Sequence, residues 1–144
     1  MSDKALGLLG LMRRANAIVL GEDNTGETVK AGKAKLLLLA QDASENARRR
    51  AEGFAYGRRV LTVELPYDKT EFASALGSSG GSMAAITDLG FANALLKALA
   101  AENPEKYSAI SAELEQRNEK AQRRREQKHS PNRNKTNGNR RTNV

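Results

Sequence analysis

A chain of 144 residues has room for one domain around one core, and the absence of cysteine excludes disulfides, thiol catalysis and cysteine-ligated metal centres together. Aromatic residues are only 4%, so the core must be aliphatic; the longest apolar run, Leu36 to Ala40, is far short of the ~18 residues of a membrane span, and no signal region opens the chain, which is therefore expected in the cytoplasm. The net charge of +7 is segregated: residues 1–116 carry 14 Lys/Arg against 15 Asp/Glu, a net of −1, whereas residues 117–144 carry 10 against 2, a net of +8.

In chain order, Leu6, Leu8, Leu9, Leu11 and Met12 predict a short apolar helix that ends on Arg13 and Arg14, where cations suit the negative end of the helix dipole. Ile18 to Leu20 predicts a strand, stopped by the turn-and-cap cluster Gly21, Glu22, Asp23 and Asn24. Asn24 with Glu27 has the spacing of a capping box, so a second helix is expected from there to about Ala31, with Gly32 as its stop. Gly26 inside that helix costs roughly 1 kcal/mol against alanine. Either something approaches that face closely or the helix starts late.

The unbroken run Leu36 to Ala40 predicts a central strand covered on both faces. Asp42 with Glu45 gives another box-like start, for a helix with Ala47, Ala51, Phe54 and Ala55 as its apolar stripe and Arg48, Arg49 and Arg50 mostly solvated. Val60 to Leu65 is the third strand, and Asp68 with Glu71 opens a helix carrying Phe72, Ala75 and Leu76. A glycine/serine loop, Ser78 to Ser82, leads to a last strand, Met83 to Thr87. Asp88 then caps a helix with Phe91, Leu95, Leu96 and Leu99 at helical spacing.

Strands alternating with helices imply an α/β fold, a three-layer α/β/α sandwich around a small mixed sheet of about four strands, expected to be mostly parallel. After Asn103 and Pro104 the apolar stripe thins to Tyr107, Ile110 and Leu114, and no large apolar residue follows until Val144. The expected division is a folded body over residues 1–102, a loosely docked helical extension over 103–128 and a disordered basic tail over 129–144, which cannot bury enough to offset its ordering entropy. The tail, with Arg123, Arg124, Arg125 and Lys128 as candidate phosphate contacts, has the charge pattern of a polyanion-binding arm; the plainer alternative is a solubilising tail. His129 is the only histidine and sits in polar surroundings, as a solvated side chain does.

Five stretches fall in one order: Leu6 to Ala15; Val19-Leu20-Gly21; Gly32-Lys33-Ala34-Lys35-Leu36; Asp42-Ala43-Ser44-Glu45-Asn46; and Ile86-Thr87-Asp88-Leu89-Gly90-Phe91-Ala92. Together they resemble the L-seven-Ae ribosomal-protein family, particularly its short bacterial members, over about residues 4–101. The resemblance implies a stand-alone RNA-binding module, typically for kink-turns, that enters the RNA with the end of the first strand and the start of the second helix. In that family an Asn-Glu pair bonds the edges of sheared G·A pairs, a lysine one turn later meets phosphate, and a loop before the last strand covers an extruded base. The matching positions here are Asp23 and Asn24 for the pair, Glu27 for the lysine and Ser78, Ser79, Gly80, Gly81 and Ser82 for the loop, so the chain departs from the pattern where the family does its work.

Glu22, Asp23 and Glu27 would repel phosphate unless they accept from base amino groups; the alternative is that they are ordinary helix-start acids and caps. Free N–H groups at the helix start favour an anion whatever the side chains. Lys30, Lys33 and Lys35, with Arg13 and Arg14, are the cations that the motif itself lacks. The loop has no bulky side chain to stack on a base, although its glycines permit close backbone approach. The leading expectation is a monomeric, non-catalytic binder of structured RNA, ribosomal or kink-turn-like, in a ribonucleoprotein, with ribosome or assembly proteins as further partners. It needs neither cofactor, metal nor membrane. The alternative is a protein-binding adaptor in ribosome assembly that keeps the fold and has lost kink-turn recognition. Catalysis is disfavoured, because the body lacks histidine, cysteine and any Walker-type phosphate loop.

Overall fold

The computed structural model describes residues 3–77 and 81–128. Its elements are α1 (Asp3–Arg14), β1 (Ile18–Leu20), α2 (Glu22–Lys30), β2 (Leu36–Leu39), α3 (Glu45–Ala55), β3 (Leu61–Glu64), α4 (Lys69–Leu76), β4 (Met83–Ile86), α5 (Leu89–Glu102) and α6 (Pro104–Lys128). The leucine run does what its lack of alternation implies. All four residues of β2 are buried, because period-two pleating sends Leu36 and Leu38 into one core and Leu37 and Leu39 into the other. The first core takes side chains of α1, α4, α5 and α6; the second, smaller one takes Val29 of α2 and Ala47 and Ala51 of α3. The three layers are therefore helices, sheet, helices.

The sheet order is β1-β4-β2-β3. Its pairing corrects the expectation of a mostly parallel sheet: β2 and β3 are parallel, but β4 runs antiparallel to both its neighbours. Alternation of elements sets the layers, not the strand directions. Leu39 pairs with both Glu64 and Met83, so the chain leaves β3 and enters β4 at the same end of the sheet, and α4 does not carry it back to the other.

Two helix starts also differ from the sequence pattern. Gly21, at φ 96 and ψ 156, caps α2 in a region that essentially only glycine occupies, so the helix begins at Glu22 and Asn24 falls inside its first turn. There Asn24 Nδ2 donates to the Leu20 carbonyl (3.1 Å) instead of closing a capping box. At α3 the cap is Ser44, which accepts from Ala47 N, while Asp42 accepts from Lys69 N (2.9 Å) across the sheet end. The Asp68–Glu71 box is present with both bonds, and Asp88 accepts from Phe91 N at the start of α5.

The extension after Pro104 is docked, not loose. Tyr107 and Leu114 are buried in the larger core, and the Tyr107 hydroxyl donates to the Glu64 carbonyl (2.7 Å). Glu115 accepts from Asn93 (3.1 Å) and pairs with Lys97 (2.8 Å), and Arg117 donates to the Arg59 carbonyl. Polar clasps supplement a thin apolar stripe, which is why hydropathy alone undersells this helix. The expected disorder of residues 129–144 lies outside the described residues.

Candidate nucleic-acid interface

The β1–α2 junction forms a shoulder at one end of the sheet. Gly21 N donates to the Met83 carbonyl (3.0 Å), which pins the start of α2 to the start of β4. Gly81, also at φ 96, lies against it: a Cβ added there would meet the Cα of Gly21 at 3.8 Å. The structure thus brings Gly81 to Gly21, Glu22, Asp23 and Asn24; Ser78, Ser79 and Gly80 lie outside the described residues, and Ser82 is buried. Among the described residues no side chain caps α2, which leaves its first-turn amides and its positive dipole end open to an anion.

The carboxylates there are not bare. Arg50 of α3 reaches back to Glu22 (2.8 Å) and Asp23 (3.3 Å), and its guanidinium lies 5.2 Å from the centre of the Phe54 ring. Hydrogen bonds to Glu22 first and then Asp23 hold the arginine's proton more tightly than usual. Phe54 in turn presses on α2. A Cβ on Gly26 would come within 2.7 Å of two ring atoms, which identifies the close approach that a glycine in mid-helix implies. Sequence reasoning treats Arg50, with its neighbours, as a solvated residue; pairing across 27 and 28 positions leaves no local signal. Arg48 is likewise engaged, with Glu64 (2.8 Å) and the carbonyls of Gln41 and Ala43. Of the triplet, Arg49 alone is exposed with no ion pair among the described residues.

Glu27 is exposed on α2, one turn from Asp23, and has no ion pair among the described residues. Lys30 and Lys33 do not join this shoulder. They lie at the other end of α2, about 12 Å or more along its axis. Lys35 is at that far end too, where its N–H donates to the Ile86 carbonyl. Arg13 and Arg14 are exposed in the last turn of α1. Arg123, Arg124 and Arg125 are exposed on α6, and Lys128 ends that helix. Among the described residues no group of acids or histidines is arranged to hold a metal, and no helix is long and apolar enough to cross a membrane.

An α/β/α sandwich whose uncapped second helix meets the turn before its last strand defines a class of small sheet proteins with a polar shoulder at one end. Within that class, the chain belongs to the Ribosomal protein L7Ae/L30e/S12e/Gadd45 family, whose model matches residues 3–104. It is 38% identical over 96 residues to the RNA-binding protein YlxQ of Bacillus subtilis (strain 168), an alignment covering 64% of this chain and 91% of that one. It is 33% identical over 89 residues to the RNA-binding protein YlxQ of Enterococcus faecium, covering 62% and 84%. Two solved structures share the fold. A Bacillus halodurans C protein of unknown function superposes with a TM-score of 0.62 at 23% identity, over 66% of this chain and 95% of that one. The Giardia lamblia 15.5kD RNA binding protein superposes with a TM-score of 0.53 at 21% identity, over 67% and 82%. The family match ends at the first residue of α6.

Proposed function

We propose that this chain is a non-catalytic binder of structured RNA, ribosomal or kink-turn-like, that meets its target with the α2 shoulder and gains affinity from the basic C-terminal tail. The carrying observation is the start of α2 beside Gly81, uncapped by any described side chain, with Arg50 pairing with Glu22 and Asp23 and offsetting part of their charge, in a chain whose curated relatives are named RNA-binding proteins. With two of the three acids paired, an approaching phosphate meets helix N–H groups and a partly balanced surface. Asn24 Oδ1 and the second carboxylate oxygens of Asp23 and Glu22 can still accept from base edges, and Gly81 brings backbone in place of a stacking side chain.

Glu27 supports a second reading, the ribosome-assembly adaptor, because an exposed carboxylate, unpaired among the described residues, stands where the family places lysine. A gel-shift titration with a kink-turn hairpin and an unrelated duplex separates the two. Saturable binding that favours the hairpin, strengthened by Glu27→Lys with a salt slope steeper by about 0.9 for one added phosphate contact, supports RNA recognition at the shoulder. Equal binding of both RNAs, indifferent to Glu27→Lys, refutes it.

A further inference from the structure

We infer that this protein has a second RNA site: a basic cleft at the opposite end of the sheet from the α2 shoulder, which takes an unpaired strand flanking the structured element. The inference rests on the RNA-binding reading above but concerns different residues. The cleft, of about 580 Å³, opens where the end of α2, the starts of β2 and β3, the first residue of α5 and the second half of α6 converge. Among the described residues six cations line it, Lys35, Arg58, Arg59, Arg117, Lys120 and Arg124, against a single acid, Glu113, which is already paired with Arg117 (2.9 Å).

Two of the six cations are held in place, and the others are gathered around them. Arg117, Lys120, Ala121 and Arg124 follow the i, i+3, i+4, i+7 spacing of one helix face, so α6 presents a row of charge with a small residue that leaves room beside it. Arg117 is fixed by Glu113 and the Arg59 carbonyl, and Arg58 by the Val29 carbonyl (3.4 Å). Lys35, Lys120 and Arg124 have no ion pair among the described residues. Like charges focused in a concave site repel one another and raise the local concentration of a polyanion. Four of the six are arginines, whose planar fork suits phosphate.

The choice of an unpaired strand follows from shape and from Tyr56. A concave cleft admits one sugar-phosphate chain more readily than the broad face of a duplex. Tyr56, just after α3 and two residues before Arg58, does not line the cleft itself but is 86% exposed, an unusual position for a large aromatic and a ready platform for an unpaired base that leaves the cleft. Three of the cations belong to α6 beyond the family match, so the cleft is a property of this chain's extension and not of the matched residues alone.

The test uses the full chain and four RNAs in fluorescence anisotropy between 50 and 200 mM KCl: a kink-turn hairpin, the same hairpin with a ten-nucleotide uridine extension, the uridine strand alone and an unrelated duplex. The triple variant K35Q/K120Q/R124Q is compared with a charge-matched control, K4Q/R49Q/K69Q, drawn from exposed positions elsewhere. The cleft variant is expected to bind the extended hairpin and the free strand about tenfold more weakly, with a log–log salt slope lower by about 2, and the bare hairpin almost as the wild type does. Tyr56→Ala should weaken the free strand at least about fivefold with no change in salt slope. Equal losses in the cleft variant and the control, or none in either, overturn the site. So does a polyglutamate peptide that displaces the strand at a lower concentration than the strand itself, which would assign the cleft to an acidic protein. Failure to prefer the bare hairpin over the duplex refutes the shoulder reading, and the free-strand comparison then decides for or against the cleft by itself.

Discussion

Gly26→Ala tests the coupling between the packing under α2 and the charges on its shoulder. In an unencumbered helix interior the substitution stabilises by about 1 kcal/mol. Here the new Cβ would stand 2.7 Å from Cε1 and Cζ of Phe54 and 3.3 Å from Cδ1, so the ring must retreat by roughly 1 Å to reach ordinary contact. Overpacking of this kind costs about 1–3 kcal/mol, which outweighs or cancels the helix gain and leaves a net destabilisation of about 0–2 kcal/mol. Phe54→Ala removes all three ring atoms. On that background the same Gly26→Ala change should stabilise by its full helix value, so the sign reverses and the two positions couple by about 1–3 kcal/mol. Urea denaturation of the four proteins, with unchanged slopes, measures this directly. If Gly26→Ala stabilises the wild-type chain by about 1 kcal/mol, the ring does not bear on the helix and the reasoning is wrong.

Leu114→Ala should cost about 2–5 kcal/mol in the same assay, because a fully buried side chain of α6 leaves a cavity in the larger core. Tyr107→Phe should cost about 1 kcal/mol by stranding the Glu64 carbonyl. The Glu64 carboxyl lies below the ordinary glutamate range, chiefly through its bond from Arg48 and then through Lys106, against an opposing cost of burial. A lowered folded-state value contributes stability that is fully present above the unfolded value of about 4.3 and is lost as pH falls from there through the folded value; Glu64→Gln should flatten that part of a stability–pH curve. Arg50→Gln should weaken binding of a kink-turn hairpin with little change in melting temperature, because it unmasks Glu22 and Asp23, and Arg50→Lys should restore part of the loss. Truncation after Lys128 removes four cations, Arg133, Lys135, Arg140 and Arg141. It should lower the salt slope by up to about 3.6 on a duplex-like target while leaving the preference between RNAs unchanged.

Local patterns carry most of the fold. The four-leucine strand, the Asp68–Glu71 box and the Asp88 cap are legible because each depends on residues within four positions of one another. Strand direction is not, because β4 pairs across more than forty residues with β2 and the alternating order of elements suits either orientation. The starts of α2 and α3 differ from the capping-box pattern by three and two residues, where Gly21 and Ser44 outcompete the better-looking caps Asn24 and Asp42. Of the site, the shoulder residues are readable from the family pattern, and the Gly26 anomaly points to a close neighbour. Arg50 is invisible, since its partners lie on another helix, and so is the basic cleft. Its cations are scattered from Lys35 to Arg124, and they share a surface only because Tyr107 and Leu114 seat α6 against the body.

The seating of α6 also bears on the solubility of the chain. β3 is an edge strand, hydrogen-bonded to β2 on one side only, and such an edge is a template for another chain's strand. Tyr107 occupies the carbonyl at its last residue and Arg117 the carbonyl of Arg59, two residues before its first. The helix that builds the cleft therefore also ties up two carbonyls flanking this edge, and a protein cut at the family boundary near residue 104 would present both of them to another chain.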